Sequence, residues 1–211
     1  PEHSKAAGIA AMRKGQTKYT QVGDAPALKQ AVIAKFRRDN DLEYAPDQIL
    51  VSSGAKQTCY NVCSAVLNAG DEPIIPAPYW VSYPDMVKLA GAEPVIISAS
   101  QDDGFKITPR ALEAAITPQT RLLFLNSPSN PTGAAYTRAE LEALGAVLEN
   151  HPGIVIAADD MYEHIYWADE PFTSFAQACP SLYARTVTIN GVSKAYAMTG
   201  WRIGYAGGPK A

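Results

Sequence analysis

Seven short apolar runs punctuate the chain, at 48–52, 72–78, 93–99, 121–128, 153–160, 186–190 and 202–207. Most are rich in Val, Ile and Leu without strict alternation, the pattern of strands buried on both faces. Amphipathic stretches lie between them, at 25–39, 55–69, 80–90, 108–116 and 137–150. Thr108 precedes Pro109, a cap followed by proline at the first helical position. Thr137 and Glu140 have capping-box spacing, ahead of Leu141, Leu144 and Leu148 on one helical face. Strands alternating with helices predict an α/β fold: a three-layer α/β/α sandwich around a mostly parallel, seven-stranded sheet. Only residues 191–201 separate the last two runs. That is short for a parallel crossover, so the last strand is expected to run antiparallel.

Composition narrows the class. The 211 residues suit one large domain, expected to span 1–211. Hydrophobic residues make up 47% and charged residues 18%, which is globular rather than disordered composition. The net charge of −3 argues against a nucleic-acid footprint or a membrane-surface patch. No apolar run approaches the roughly 18 residues that cross a bilayer. The start, Pro1-Glu2-His3-Ser4, lacks the apolar core of a signal peptide. A first residue other than Met and an end just past Gly207-Gly208-Pro209 lead us to expect a piece of a longer protein. Three cysteines argue against a full disulfide framework, which fits a cytoplasmic setting. Cys59 and Cys63, with Val62 and Val66, have the spacing of a buried helix face.

In open α/β sheets ligands sit beyond the carboxyl ends of the strands, so those positions carry the candidate chemistry. Ser53-Gly54-Ala55-Lys56-Gln57 opens a helix after the first run. It is either a phosphate cradle, using small residues and free N–H groups, or an ordinary turn. Trp80, beside the rigid Pro76-Ala77-Pro78, either stacks on a planar ring or packs in the core. The loop Asn126-Ser127-Pro128-Ser129-Asn130-Pro131-Thr132-Gly133 is stiffened by prolines and sets Asn130 to donate to a ligand oxygen, unless it is a plain Asn-Pro turn. Asp159 ends an apolar run and either caps a helix or needs a cationic or strong donor partner. A protonated pyridine nitrogen would serve, with Tyr162 near the same ligand. Lys194 lies among small and apolar neighbours, where desolvation would free a neutral amine to attack an aldehyde. Ser193 and the Arg202 fork suit a phosphate. A lone lysine is ordinarily a solvated surface residue; the set together comprises the parts that pyridoxal 5′-phosphate demands.

These residues resemble the class I/II aminotransferases of fold type I, most closely bacterial-type aspartate aminotransferases, over essentially the whole chain. The strongest match runs from Ser193-Lys194-Ala195-Tyr196 through Thr199-Gly200-Trp201-Arg202 to Tyr205, joined by Asn126–Gly133 and Pro78–Pro84. The resemblance implies that Lys194 carries the cofactor as a Schiff base and moves a proton between substrate Cα and the cofactor's C4′. Asp159 would pair with the pyridine nitrogen. Asn130 and Tyr162 would donate to the ring 3-oxygen, and Asn130 would also touch the substrate carboxylate. Trp80 would stack on the ring. Gly54, Ala55, Ser193 and Arg202 would hold the phosphate, with Lys56 beside them facing the distal carboxylate of the substrate. Tyr19 would reach the phosphate of a neighbouring subunit, implying a homodimer. Asp159-Asp160-Met161-Tyr162 departs from the commoner Asp-Glu-Ile-Tyr but keeps the Asp and the Tyr.

The implied reaction is transamination between an amino acid and a 2-oxo acid, foremost L-aspartate with 2-oxoglutarate. A prephenate or aromatic aminotransferase is the near rival. A lyase of the same fold and a non-catalytic cofactor-binding regulator domain are more distant ones. No metal is called for. Family members are longer, so small-domain segments on both sides, including the arginine that clamps the substrate α-carboxylate, are expected outside 1–211. The chain alone is therefore expected to bind the cofactor poorly and transaminate little.

Overall fold

The computed structural model describes residues 1–20 and 25–210. Seven strands form one sheet: β1 Ile49–Ser52, β2 Ile74–Ala77, β3 Val95–Ser98, β4 Leu122–Asn126, β5 Val155–Asp159, β6 Thr186–Gly191 and β7 Gly204–Gly207. Their order is β1-β7-β6-β5-β4-β2-β3. The last strand, β7, is antiparallel to both β1 and β6, as the short connection predicted, and the other pairings are parallel.

The helices are α1 Glu2–Arg13, α2 Pro26–Asn40, α3 Ala55–Val66, α4 Ser82–Leu89, α5 Pro109–Ala115, α6 Arg138–Glu149 and α7 Phe175–Ala178. The two-residue period of a strand sorts them into two layers. Leu122 and Phe124 of β4 pack with Cys59, Val62 and Cys63 of α3 and with Tyr83, Met86 and Val87 of α4. Leu123 and Leu125 pack with Leu112 of α5 and with Leu141, Leu144 and Leu148 of α6. Burying each such side chain is worth about 1.5–3 kcal/mol, so the central strands hold both layers. A third cluster sets Val32 and Phe36 of α2 on Ile49 and Tyr205. The fold is thus the expected α/β/α sandwich. Among the described residues no helix is long and apolar enough to cross a membrane.

Local chemistry sets the helix ends. Thr108 accepts from the Ala111 amide at 3.2 Å, and Thr137 and Glu140 form the reciprocal capping box. Two expectations are corrected, and two helices are added. The helix expected over 55–69 stops at Val66, because Leu67 turns back into the core and the Asp71 carboxylate captures the Asn68 amide at 2.7 Å. The helix expected from Trp80 begins at Ser82, so Trp80 stands on the approach to α4 rather than within it. Helices α1 and α7 were not anticipated; α1 buries none of its residues, although its Gly8 lies against the Trp201 ring.

Strands β1, β2, β4, β5 and β6 all end at one edge of the sheet. Strand β7 runs the other way and begins there. Residues 53–57, 78–80, 126–130, 159–162, 193–194 and 202 are thereby gathered along a single edge.

Candidate active site

That edge holds a cavity of about 320 Å³. It is lined by Ala55, Lys56, Trp80, Asn130, Asp159, Tyr162, Ser193, Lys194 and Arg202, all expected from the sequence. Gly54 sits directly beside Arg202. Tyr19 is fully exposed and lies outside the cavity lining.

One end of the cavity gathers groups that can attract an anion. Helix α3 opens there, with Gly54 as its N-cap at φ 87°, a backbone region that suits glycine. A β-carbon on Gly54 would overlap the Arg202 guanidinium. A β-carbon on Gly204 would stand 2.2 Å from the Ala55 nitrogen, so glycine at the start of β7 is what lets the helix start settle on the sheet. Arg202 holds its place by donating to the Thr199 carbonyl at 3.0 Å and the Ser53 carbonyl at 3.4 Å. Free helix N–H groups, the helix dipole, a guanidinium and the buried Ser193 thus converge on one spot.

The floor is Asp159 at the end of β5, only 5% exposed. Burial pushes its carboxyl above the usual range, against hydrogen bonds from the Tyr83 hydroxyl and the Met161 amide. The Tyr83 bond is 2.5 Å and the Met161 bond 3.3 Å. Among the described residues no Lys, Arg or His forms an ion pair with Asp159. Its neighbour Asp160 is buried too, and its Oδ2 has no hydrogen-bond partner. Burial, reinforced by Glu163 and Asp159 and opposed by Lys35, pushes the Asp160 carboxyl well above the usual carboxylate range.

Two residues that the sequence reading left without a role organise this floor. Tyr83 is fully buried between two rings, stacked on Phe124 at 4.6 Å and edge-on to Trp80 at 5.4 Å. Asn126 donates to the Asp159 carbonyl and accepts from the Asn130 amide, both at 2.8 Å. It ties the two loops and aims Asn130. The demand of a buried Asp159 for a strong donor signals that a partner exists, but nothing in the spacing along the chain singles out Tyr83, 76 residues away.

Across the cavity the Lys194 ammonium lies 5.7 Å from the centre of the Tyr162 ring. The expected desolvation is corrected: Lys194 is exposed, because no described side chain closes over it on the solvent side. At the mouth, the Lys56 ammonium stands 5.0 Å over the Trp80 ring. This puts a positive charge beside a flat aromatic face, in contact with open solvent.

An amine, a buried carboxyl, an anion cradle and a flat ring in one cleft can hold an anionic aromatic molecule at three points and present an amine to it. The family model described as aminotransferase class I and II matches residues 1–211. The chain belongs to this family. It is 59% identical over 211 residues to the aspartate/prephenate aminotransferase of Nitrosomonas europaea, covering 100% of this chain and 53% of that protein. The crystal structure of the aspartate aminotransferase from Rhizobium meliloti matches with a TM-score of 0.98 at 53% identity, over 100% of this chain and 52% of that one. The Thermus thermophilus aspartate aminotransferase with maleate matches with a TM-score of 0.94 at 44% identity, over 100% and 54%. The chain spans about half the length of the curated relatives it matches.

Proposed function

We propose that the complete protein is a pyridoxal-phosphate-dependent transaminase exchanging the amino group of L-aspartate with 2-oxoglutarate. One observation carries this: Lys194, Asp159 and the Gly54–Arg202 cradle line or adjoin the same cavity. The donor set fits the cofactor. The buried Asp159 is without a cationic partner among the described residues, and a protonated pyridine nitrogen supplies one. The cradle at the start of α3 suits a phosphate. Trp80 offers a ring face, and Asn130 and Tyr162 offer donors for a phenolic oxygen.

When bound, pyridoxal phosphate supplies an aldehyde that captures the substrate amine and a protonated ring that draws electrons from substrate Cα. Asp159 keeps the ring nitrogen protonated. Lys194, beside the Tyr162 ring, would hold the cofactor through its amine and would serve as the base that moves the proton of substrate Cα. Asn130, aimed by Asn126, orients the substrate carboxylate. Lys56 faces the distal carboxylate of a dicarboxylic substrate. Residues 1–211 act as the large, cofactor-binding domain, and the rest of the protein completes the substrate clamp. Tyr19, fully exposed here, is available to a second subunit of a homodimer. We place the enzyme in the cytoplasm.

Prephenate, a second dicarboxylate, is the other substrate to weigh, because the Nitrosomonas europaea relative is named for both. Comparing kcat/KM for aspartate and prephenate ranks them; a tenfold preference for prephenate, about 1.4 kcal/mol, reverses our order. For the cofactor, borohydride should fix pyridoxal phosphate covalently in the complete protein and not in Lys194→Ala. Fixation at another lysine in that variant defeats the assignment.

A further inference from the structure

Behind the cavity the chain buries a second polar cluster that the transaminase reading does not use. It joins α2, the turn after β5 and the end of β6. Lys35 and Asn40 of α2, Glu163 of the turn and Asn190 of β6 are each 6% exposed or less. The Glu163 carboxylate accepts from Asn40 Nδ2 and from Asn190 Nδ2, both at 2.7 Å, and pairs with the Lys35 ammonium. Lys35 also donates to Asn40 Oδ1 at 2.7 Å. Asn190 Nδ2 reaches the Asp160 carbonyl at 3.1 Å, and its Oδ1 accepts from the Gly191 amide at 2.7 Å. On the outer side His164 stands 3.3 Å from Asp39 and 3.4 Å from Glu163.

Asp39, Glu163 and His164 have the spacing of a cation site. Lys35 already pairs with both carboxylates, at 3.9 Å for Asp39, so the position for a cation is taken by its ammonium. Nor is net stability an adequate reason for the cluster, since a buried Lys–Glu pair costs about as much in desolvation as it returns. What such a network does is hold one arrangement.

The arrangement it holds is that of the catalytic loops. Glu163 follows Tyr162 directly, on the turn that begins at Asp159. Asn190 lies just ahead of Ser193 and Lys194. The β5–β6 ladder joins these loops up to Asp159 and Ile189. Beyond it, Glu163 and Asn190 carry the connection. We propose that Glu163 is a positioning residue: through Asn190 it sets the separation between the loop bearing Asp159 and Tyr162 and the loop bearing Lys194. This rests on the cofactor reading above. A misplacement of about 1 Å between such groups costs on the order of a hundredfold in rate, so the staple acts on turnover.

The test uses the complete protein loaded with pyridoxal phosphate. Glu163→Gln keeps the volume but leaves one accepting oxygen and no charge, so it cannot serve both asparagines and the lysine. Cofactor stoichiometry should be unchanged, because the phosphate cradle and Asp159 are untouched. The kcat should fall about tenfold or more, with KM for aspartate moving less than about threefold. The pH midpoint of the bound cofactor's visible absorbance should rise by about half a unit as Tyr162 drifts from the ring oxygen. Asn190→Ala cuts the same staple while sparing the Lys35–Glu163 pair, and it carries the same expectation if Glu163→Gln fails to fold. Because both act on one connection, the double variant should be no slower than the slower single one. If both variants melt earlier yet keep kcat per bound cofactor and the absorbance midpoint, the cluster is structural and the proposal is overturned. A wild-type protein that takes up no pyridoxal phosphate overturns the cofactor reading itself, which is a different result.

Discussion

A β-carbon on Gly54 would stand 2.1 Å from Nη2 of Arg202. The absence of a side chain at one residue therefore fixes where the other can put its charge. Gly54→Ala should push the guanidinium out of the cradle. It should also force alanine to a φ of 87°, which costs an L-residue roughly 1–2 kcal/mol. The dissociation constant of pyridoxal phosphate should rise at least tenfold, about 1.4 kcal/mol. Fluorescence titration of the complete protein measures it; an unchanged constant removes Arg202 from the phosphate site.

Tyr83 makes a second prediction. Burial first, and then the Asp159 charge, hold its hydroxyl well above the usual tyrosine range, so it is a permanent donor. Tyr83→Phe keeps the ring stacked on Phe124 and leaves Asp159 with the longer Met161 bond. Leaving that buried acceptor short of a partner should lower the unfolding free energy by about 1–3 kcal/mol. Urea unfolding at neutral pH checks this, and a variant as stable as the parent would mean the hydroxyl contributes nothing.

Asp160 gives a prediction in pH. Its folded carboxyl lies far above its unfolded value, so the folded chain keeps a proton that the unfolded chain has released. Its contribution is thus fully present below about pH 3.9, the unfolded value, and is lost as pH rises toward the folded one. Asp160→Asn does not titrate. Its melting temperature should match the parent's near pH 4 and exceed it by several degrees at pH 8, at roughly 2–4 °C per kcal/mol. Thermal melts across that range decide it; a variant that melts earlier at pH 8 contradicts the sign.

Why the sequence was readable in some places and opaque in others follows from the forces at each. The strands were legible because burial on both faces demands continuous apolar runs, and even the reversal of β7 was implied by the eleven residues 191–201 before its run. Helix α1 escaped because it is held by Ala-rich propensity and leaves no residue in the core, so it has no periodic apolar face to detect. Chemistry at strand ends exposed Lys194, Asp159 and Asn130, since the fold class says where ligands lie. Tyr83 and Asn126 act through other residues. Their roles depend on which atoms meet in space, which spacing along the chain does not encode. The exposure of Lys194 was misjudged for a related reason: small neighbours in sequence did not become walls around it.

The insertion of β7 between β1 and β6 also has a consequence for synthesis. Ile49 finds its partner at Gly207, far along the chain from it. Ribosomes add about 5–20 residues per second, so β1 and the apolar face of α2 emerge on the order of ten seconds before the strand that completes their layer. Until then Phe36 and Ile49 have no Tyr205 to pack on, and Gly54 has no Arg202. The anion cradle forms only after both segments have been made, so a chain stalled between them is both sticky and empty-handed.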